Sequence, residues 1–138
     1  MKIVKWARKK SPWIFHVCTG GCNGCDIELM AALTPKYDVE RLGIKLVGSP
    51  RHADILVVTG ILNKKTYEKF LRIYEQTPEP KKVIALGSCA CNHGPFQNSY
   101  NTEGKLKEKV KVDMFIPGCP PRPQAIIDGI KKLLEAEE

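Results

Sequence analysis

The fold class of this chain is indicated first by one short run, Asp54-Ile55-Leu56-Val57-Val58-Thr59-Gly60. A continuous apolar and β-branched run that ends at a glycine is typical of a strand buried on both faces, as in a parallel sheet. A second run of this kind, Val83-Ile84-Ala85-Leu86, is also followed by a glycine. Three further stretches resemble strands, the last of them more weakly: residues 13–17, 112–116 and 42–47.

Helical patterns lie between these strands. Residues 64–76 carry apolar side chains at the i, i+3, i+4, i+7 spacing of an amphipathic helix. Residues 26–33 indicate a short helix between a glycine-rich turn and Pro35, and a longer helix follows Pro121. Strands that alternate with helices indicate βαβ units and a parallel sheet.

The sequence therefore predicts an α/β fold, a single three-layer domain with a mainly parallel sheet that is flavodoxin-like in outline. This domain covers residues 12–138 and follows a basic N-terminal arm at residues 1–11. The segment 92–111 has no clear periodicity and contains Gly94-Pro95, so we expect a long loop there.

The composition is that of an ordinary globular domain, with 43% hydrophobic and 27% charged residues. The longest apolar runs span about four residues, whereas a membrane helix needs about 20, and we expect no secretory signal. The 22 Lys and Arg residues exceed the 15 Asp and Glu residues, and they are concentrated near the N-terminus and at 105–111. Such patches contact anionic lipid or an acidic partner, or are merely solvated. Since aromatic residues are few and no nucleic-acid motif is present, we expect no nucleic-acid partner.

Six cysteines follow the carboxyl ends of the predicted strands. Three come after the first strand, two after the strand at 83–86 and one after the strand at 112–116: Cys18, Cys22 and Cys25, then Cys89 and Cys91, then Cys119. The carboxyl ends of parallel strands lie along one edge of a sheet, where ligand sites form. In a chain without a secretory signal, such cysteines favour metal or redox chemistry over disulfides.

Four thiolates are enough for a tetrahedral zinc ion or for a 4Fe–4S cluster. The best set is Cys22, Cys25, Cys89 and Cys119, because two residues separate the first pair and glycines near the cysteines allow close backbone approach. A zinc site usually combines two close pairs, and here only one pair is close, which favours the iron–sulfur cluster. A structural zinc module and a thioredoxin-like Cys-x-x-Cys remain the alternatives.

Cys18 and Cys91 are left over from this set. We expect both to be buried or semi-buried free thiols that contribute packing, with Cys18 held back in the sheet. The alternative is that one of them replaces Cys22 or Cys89 as a ligand, since each lies within four residues of a member of the set.

The run Thr19-Gly20-Gly21-Cys22-Asn23-Gly24-Cys25-Asp26-Ile27-Glu28 resembles the cluster loop of a known subunit family. That family is the small subunit of energy-converting, membrane-bound nickel–iron hydrogenases, which is similar to the 20 kDa-type subunit of respiratory complex I. Three further motifs continue the resemblance: Ser49-Pro50-Arg51-His52-Ala53-Asp54, Gly87-Ser88-Cys89-Ala90-Cys91 and Gly118-Cys119-Pro120-Pro121.

The resemblance implies one 4Fe–4S cluster, held by Cys22, Cys25, Cys89 and Cys119. It also implies a subunit of an oxidoreductase complex, with the active site on a nickel–iron large subunit. Electrons would pass from a ferredoxin-like iron–sulfur subunit to that site for proton reduction to H2, coupled to ion translocation by membrane subunits. The location would be peripheral, on the cytoplasmic face of the cell membrane, and the edge with the cluster would be apolar and covered by the large subunit.

The first two ligands are adjacent in the complex I pattern, whereas two residues separate them here, as in hydrogenases. This difference favours proton reduction, and a quinone- or sulfur-reducing homologue is the alternative.

Four other polar residues have two readings each. Glu28 is a proton-relay or hydrogen-bonding residue near the cluster, or an acid in the first turn of a helix. Arg51 and His52 neutralise cluster charge or face the large subunit, or they are a polar entry to a strand. His93 is expected to be a hydrogen-bonding loop residue rather than a ligand.

Overall fold

The computed structural model describes residues 2–136, so Met1 of the predicted arm and Glu137 and Glu138 of the predicted domain lie outside it. Its strands form one sheet in the order β2-β1-β3-β4-β5, and all neighbouring strands are parallel. The strands are β1 (Trp13–Cys18), β2 (Lys45–Leu46), β3 (Ile55–Thr59), β4 (Lys82–Leu86) and β5 (Met114–Ile116). This is the flavodoxin-like strand order, which confirms the predicted sheet.

Helices cover both faces of the sheet. They are α1 (Lys2–Lys10), α2 (Gly24–Ala32), α3 (Lys64–Gln76), α4 (Ser88–Asn92), α5 (Leu106–Lys109) and α6 (Pro123–Glu135). Val57 of β3 packs in a buried cluster with Leu29 of α2 and Ile126 of α6, whereas the next residue, Val58, packs with Phe70 of α3. Successive residues of a strand point to opposite faces, so the predicted three-layer arrangement is confirmed. None of the helices within residues 2–136 has the length and apolar character needed to cross a membrane.

Local capping explains where the longer helices begin. Asn63 precedes α3, and its Oδ1 accepts a hydrogen bond of 2.9 Å from the backbone N–H of Thr66. Pro123 opens α6, where the missing N–H is harmless. Both helices were predicted, and the bounds of α3 agree with the prediction.

The structure adds detail to one sequence expectation and corrects two others. The predicted arm is helical over Lys2–Lys10. The weak strand at 42–47 shrinks to two residues, because a 3₁₀ helix, Val39–Leu42, occupies its start and Gly43 ends that helix with φ +83°. The segment 92–111 is not a plain loop: α5 forms within it because Leu106 and Val110, one helical turn apart, are both buried.

Candidate functional site

The predicted ligand residues lie on three loops at the carboxyl edge of the sheet. Cys22 follows β1, Cys25 lies in the first turn of α2, Cys89 lies in the first turn of α4 after β4, and Cys119 follows β5. Strands β2 and β3 lie on opposite sides of β1, so the connections leave in opposite directions at this point. A crevice at such a switch point is where ligands bind in open α/β sheets.

The four thiols are close enough to influence one another. The pKa of Cys25 is raised to about 11, first by burial and then by Cys89, Cys22, Asp26 and Cys119. Burial also raises the pKa of Cys89, and Cys119 and Cys22 add to that rise. Like-charge coupling of this kind acts over a short range, so the fold brings these four cysteines to one place. We call them the cysteine site.

Glycines form much of the surface against which the sulfur atoms lie. A Cβ on Gly87, which has φ +87°, would fall well inside 3.0 Å of Cys25 Sγ. A Cβ on Gly24 would lie 3.5 Å from Cys22 Sγ, and one on Gly94 would lie 3.8 Å from Cys89 Sγ. The backbone therefore approaches the sulfur atoms at positions that larger residues would fill.

The two remaining cysteines differ from each other. Cys91 is half-buried, as predicted, and its Sγ lies 3.6 Å from the carbonyl oxygen of Ala85, within the core under α4. Cys18 is exposed, so its predicted burial is wrong. Cys18 is the last residue of β1, at the carboxyl edge of the sheet where the chain enters the glycine-rich loop before α2.

A polar group beside the cysteine site was not predicted from the sequence. His16 Nε2 lies 2.8 Å from Asp26 Oδ1 and 3.0 Å from Thr59 Oγ1, and the Thr59 hydroxyl donates a 2.6 Å hydrogen bond to Asp26 Oδ1. The three residues come from β1, β3 and α2, so they tie the start of α2 to the sheet. The available sequence clue was a polar residue near the end of each of two otherwise apolar strands.

The other polar candidates lie in different places. Arg51 and His52 are exposed in a 3₁₀ helix before β3, at the amino end of the strands. The cysteine site is at the opposite edge, about 17 Å away for a five-residue strand, so their predicted neutralisation of a bound group there is wrong. His93 is buried with its Nε2 2.9 Å from the carbonyl oxygen of Gly104, which agrees with a hydrogen-bonding loop residue.

Glu28 lies one turn into α2, where Asp26 is the acid of the first turn. Its side chain is half-buried. The helix-dipole explanation for an acid at this point therefore applies to Asp26, and not to Glu28.

Exposed apolar side chains occur on the elements that carry the cysteine site. Ile27 and Met30 project from α2, with Ile27 59% exposed, and Phe96 lies two residues after Gly94. Within residues 2–136, no three histidine, cysteine, aspartate or glutamate side chains are grouped so that they could hold a single metal ion.

Comparison with known proteins points to one family. The profile of the NADH ubiquinone oxidoreductase 20 kDa subunit matches residues 22–133. A probable membrane-bound hydrogenase subunit of Pyrococcus furiosus is 56% identical over 126 residues, which are 91% of this chain and 75% of that protein. A subunit of the NADH-quinone oxidoreductase of Geotalea daltonii is 45% identical over 131 residues, which are 95% of this chain and 75% of the relative.

One solved structure is similar over nearly the whole chain. It is a chain of the membrane-bound sulfane sulfur reductase, an archaeal respiratory membrane complex, with a TM-score of 0.84 and 44% sequence identity. The match covers 96% of this chain and 73% of the other. These relatives are subunits of oxidoreductase complexes, and the resemblance found in the sequence motifs is confirmed.

Proposed function

Because the chain belongs to the family of the NADH ubiquinone oxidoreductase 20 kDa subunit, we propose that it is an electron-transfer subunit of a membrane-bound oxidoreductase complex. Its residues 12–138 form one iron–sulfur-binding domain, and residues 1–11 form a basic arm. Cys22, Cys25, Cys89 and Cys119 hold one 4Fe–4S cluster.

The convergence of four thiols from three separate strand ends supports this proposal most directly. A structural zinc site usually combines two close pairs of ligands, whereas here only Cys22 and Cys25 form a Cys-x-x-Cys pair. A 4Fe–4S cluster is a larger body that takes four cysteine thiolates, which suits thiols spread around a crevice. The close backbone at Gly87 also leaves room beside Cys25.

When bound, a 4Fe–4S cluster accepts and releases one electron at a potential that its surroundings set. The chain supplies the four thiolates, a partly buried setting at Cys25 and an apolar rim that includes Ile27. Asp26 adds a carboxylate beside Cys25, held by His16 and Thr59. A negative charge there disfavours an added electron and lowers the potential, which suits a donor of the ferredoxin type.

The partners that we propose are a ferredoxin-like iron–sulfur subunit as donor and a nickel–iron large subunit as acceptor. The large subunit reduces protons to H2, and membrane subunits couple this reaction to ion translocation. The two-residue spacing between Cys22 and Cys25 supports this assignment, as does the Pyrococcus furiosus relative, which is named as a hydrogenase subunit. The subunit then lies peripherally on the cytoplasmic face of the cell membrane.

A sulfur- or quinone-reducing complex is the second candidate. It is favoured by the similarity to the sulfane sulfur reductase chain and to the NADH-quinone oxidoreductase relative. The two candidates share the cluster and differ in the acceptor on the large subunit. Co-purification of the chain with its large subunit distinguishes the two candidates. A nickel content near one per complex, together with H2 evolution from a reduced viologen dye, supports the hydrogenase. Polysulfide or quinone reduction without nickel supports the other.

The cluster itself is tested by anaerobic reconstitution of the full chain with iron and sulfide. We expect about four irons and four sulfides per chain, a brown colour with broad absorbance near 400 nm (roughly), and a paramagnetic signal after reduction. A colourless protein that retains zinc and excludes iron would show that the site is a structural zinc module. Cys91→Ser is the matched control for the four ligand variants, because this thiol lies on α4 beside Cys89 and points into the core.

A further inference from the structure

Helix α1 leaves apolar side chains exposed to solvent and places a charged side chain against the body of the protein. Ile3 is 80% exposed and Trp6 is 62% exposed, and α1 has no buried residue. Arg8 instead faces the body of the protein, with its Nε 3.1 Å from Asp54 Oδ1 and its Nη1 donating a 3.2 Å hydrogen bond to the carbonyl oxygen of Pro80. An ordinary surface helix buries its apolar face and exposes its charged one.

Three of the apolar side chains of α1 share one exposed face, which we call the outer face. Ile3, Trp6 and Ala7 stand at i, i+3 and i+4, so they are neighbours on the helix surface, and all three are exposed. Arg8 and Lys9 are the half-buried residues of the helix. A cavity of about 470 Å³ lies between α1 and the body, and Lys5, Arg8 and Lys9 line it together with Leu133 of α6. Trp6 also borders this cavity, and it remains 62% exposed.

This helix is too short to be stable alone. It has nine residues, and isolated helices below about 12–15 residues are marginal in water. Two of its residues, Ile3 and Val4, are β-branched, which lowers helix propensity further. A partner that covers the outer face would therefore stabilise α1 as well as bury its apolar side chains.

The charge of α1 identifies the kind of partner. The helix has no acidic residue and five basic ones: Lys2, Lys5, Arg8, Lys9 and Lys10. An apolar face with a tryptophan, flanked by lysines, is the pattern of helices that lie in the interface of an anionic bilayer. Trp13 lies beside α1, because its backbone N–H donates to the same Asp54 that binds Arg8, and Lys45 Nζ lies 5.2 Å from the Trp13 ring centroid. A second tryptophan with a lysine therefore extends the surface.

We propose that α1 is an interfacial anchor that binds the surface of an anionic lipid bilayer. Ile3, Trp6 and Ala7 enter the boundary between headgroups and acyl chains, and the exposed Lys2 and Lys10 contact lipid phosphates. This inference goes beyond the electron-transfer proposal, because it depends on α1 alone and holds whether or not the cysteine site binds a cluster.

The test uses the full chain and lipid vesicles. Co-sedimentation is measured with vesicles of equal phosphatidylglycerol and phosphatidylcholine, and with vesicles of phosphatidylcholine alone. We expect binding to the anionic vesicles that weakens at high salt, and little binding to the neutral ones. In a Trp13→Phe background, the fluorescence of Trp6 should shift to the blue on binding, because its ring leaves water.

Matched variants separate α1 from charge in general. Lys2→Gln with Lys10→Gln should weaken binding by roughly 25-fold, at about fivefold per lysine, whereas Lys64→Gln with Lys65→Gln on α3 removes the same charge and should have little effect. Ile3→Ser with Trp6→Ser should also weaken binding, whereas Ile27→Ser at the cysteine site should not. Circular dichroism checks that each variant is folded.

Three results would overturn the proposal. The first is equal loss of vesicle binding in the α1 and α3 lysine variants. The second is vesicle binding with no shift in Trp6 fluorescence, which means adsorption by charge alone. The third is a dimer in solution that Ile3→Ser with Trp6→Ser dissociates, which means that the outer face of α1 contacts a second copy of the chain.

Discussion

Replacing Gly87 with alanine should damage the cysteine site without touching a cysteine. Gly87 follows β4 and has φ +87°, a conformation that favours glycine. An added Cβ would fall well inside 3.0 Å of Cys25 Sγ and would also contact the carbonyl oxygen of Gly118 at 3.5 Å. The substitution therefore acts on two of the three loops that carry the proposed ligands.

The expected cost follows from these two effects. With φ +87° and ψ 159°, Gly87 lies in a backbone region that is almost reserved for glycine, and an alanine there costs about 1–3 kcal/mol. The sulfur must move by roughly 1 Å to regain an ordinary contact, and overpacking of this kind costs about 1–3 kcal/mol. The free energy of unfolding of the metal-free chain should thus fall by about 2–6 kcal/mol. Because the displaced atom is a proposed ligand, reconstitution should also yield far less than the full iron content.

Gly48→Ala is the matched control, since nothing lies within 4 Å of its Cβ position. It should leave iron content unchanged and alter stability by less than about 1 kcal/mol. Urea unfolding of the metal-free chains and counts of iron and acid-labile sulfide after reconstitution measure both effects. If Gly87→Ala matches the wild type in unfolding free energy and in iron content, the described contact between Gly87 and Cys25 is wrong.

Three further predictions concern the cysteines and Asp26. Serine in place of any proposed ligand should abolish or strongly reduce bound iron, whereas Cys18→Ser and Cys91→Ser should retain it, as iron and sulfide counts will show. In the metal-free chain at pH 8, alkylation of Cys25 should be slower than that of exposed Cys18 by on the order of 100-fold, because the Cys25 pKa of about 11 lowers the fraction of reactive thiolate. The alkylation rate of Cys25 should rise with pH until the pH reaches about 11. Mass spectrometry of the labelled peptides measures this order, and equal rates would contradict it. Asp26→Asn should keep the iron and raise the reduction potential of the bound cluster by on the order of tens of mV, since a negative charge near Cys25 is removed. A redox titration measures this, and an unchanged or lower potential would contradict it.

Much of the fold could be predicted because its signals are local. The apolar runs of β3 and β4 and the helical periodicity of α3 each lie within one short window of sequence. The lengths of β2 and α5 depend on other parts of the chain: β2 is defined by two pairings with β1, and α5 by two side chains that reach the core. Elements of two and four residues are too short to show a period of their own.

The same distinction applies to the cysteine site. Its convergence was predictable because parallel strands place their carboxyl ends on one edge, whatever the side chains between them. The exposure of Cys18 was not, because it depends on where β1 ends and on how the chain packs beyond that point. The group of His16, Asp26 and Thr59 was missed because each residue belongs to a different element and has no pattern with the others in the sequence.

Strand β3 connects the two surfaces to which functions are proposed. Asp54, immediately before β3, binds Arg8 of α1, and Thr59, its last residue, binds Asp26 beside Cys25. The strand is buried along its whole length and is paired on both sides, so it forms a rigid spacer of about 17 Å. In the proposed arrangement, an anchor at one end of β3 holds the cysteine site at the other end of the strand. Substitutions on α1 should for this reason change vesicle binding and leave iron content intact, and substitutions at the cysteine site should do the opposite.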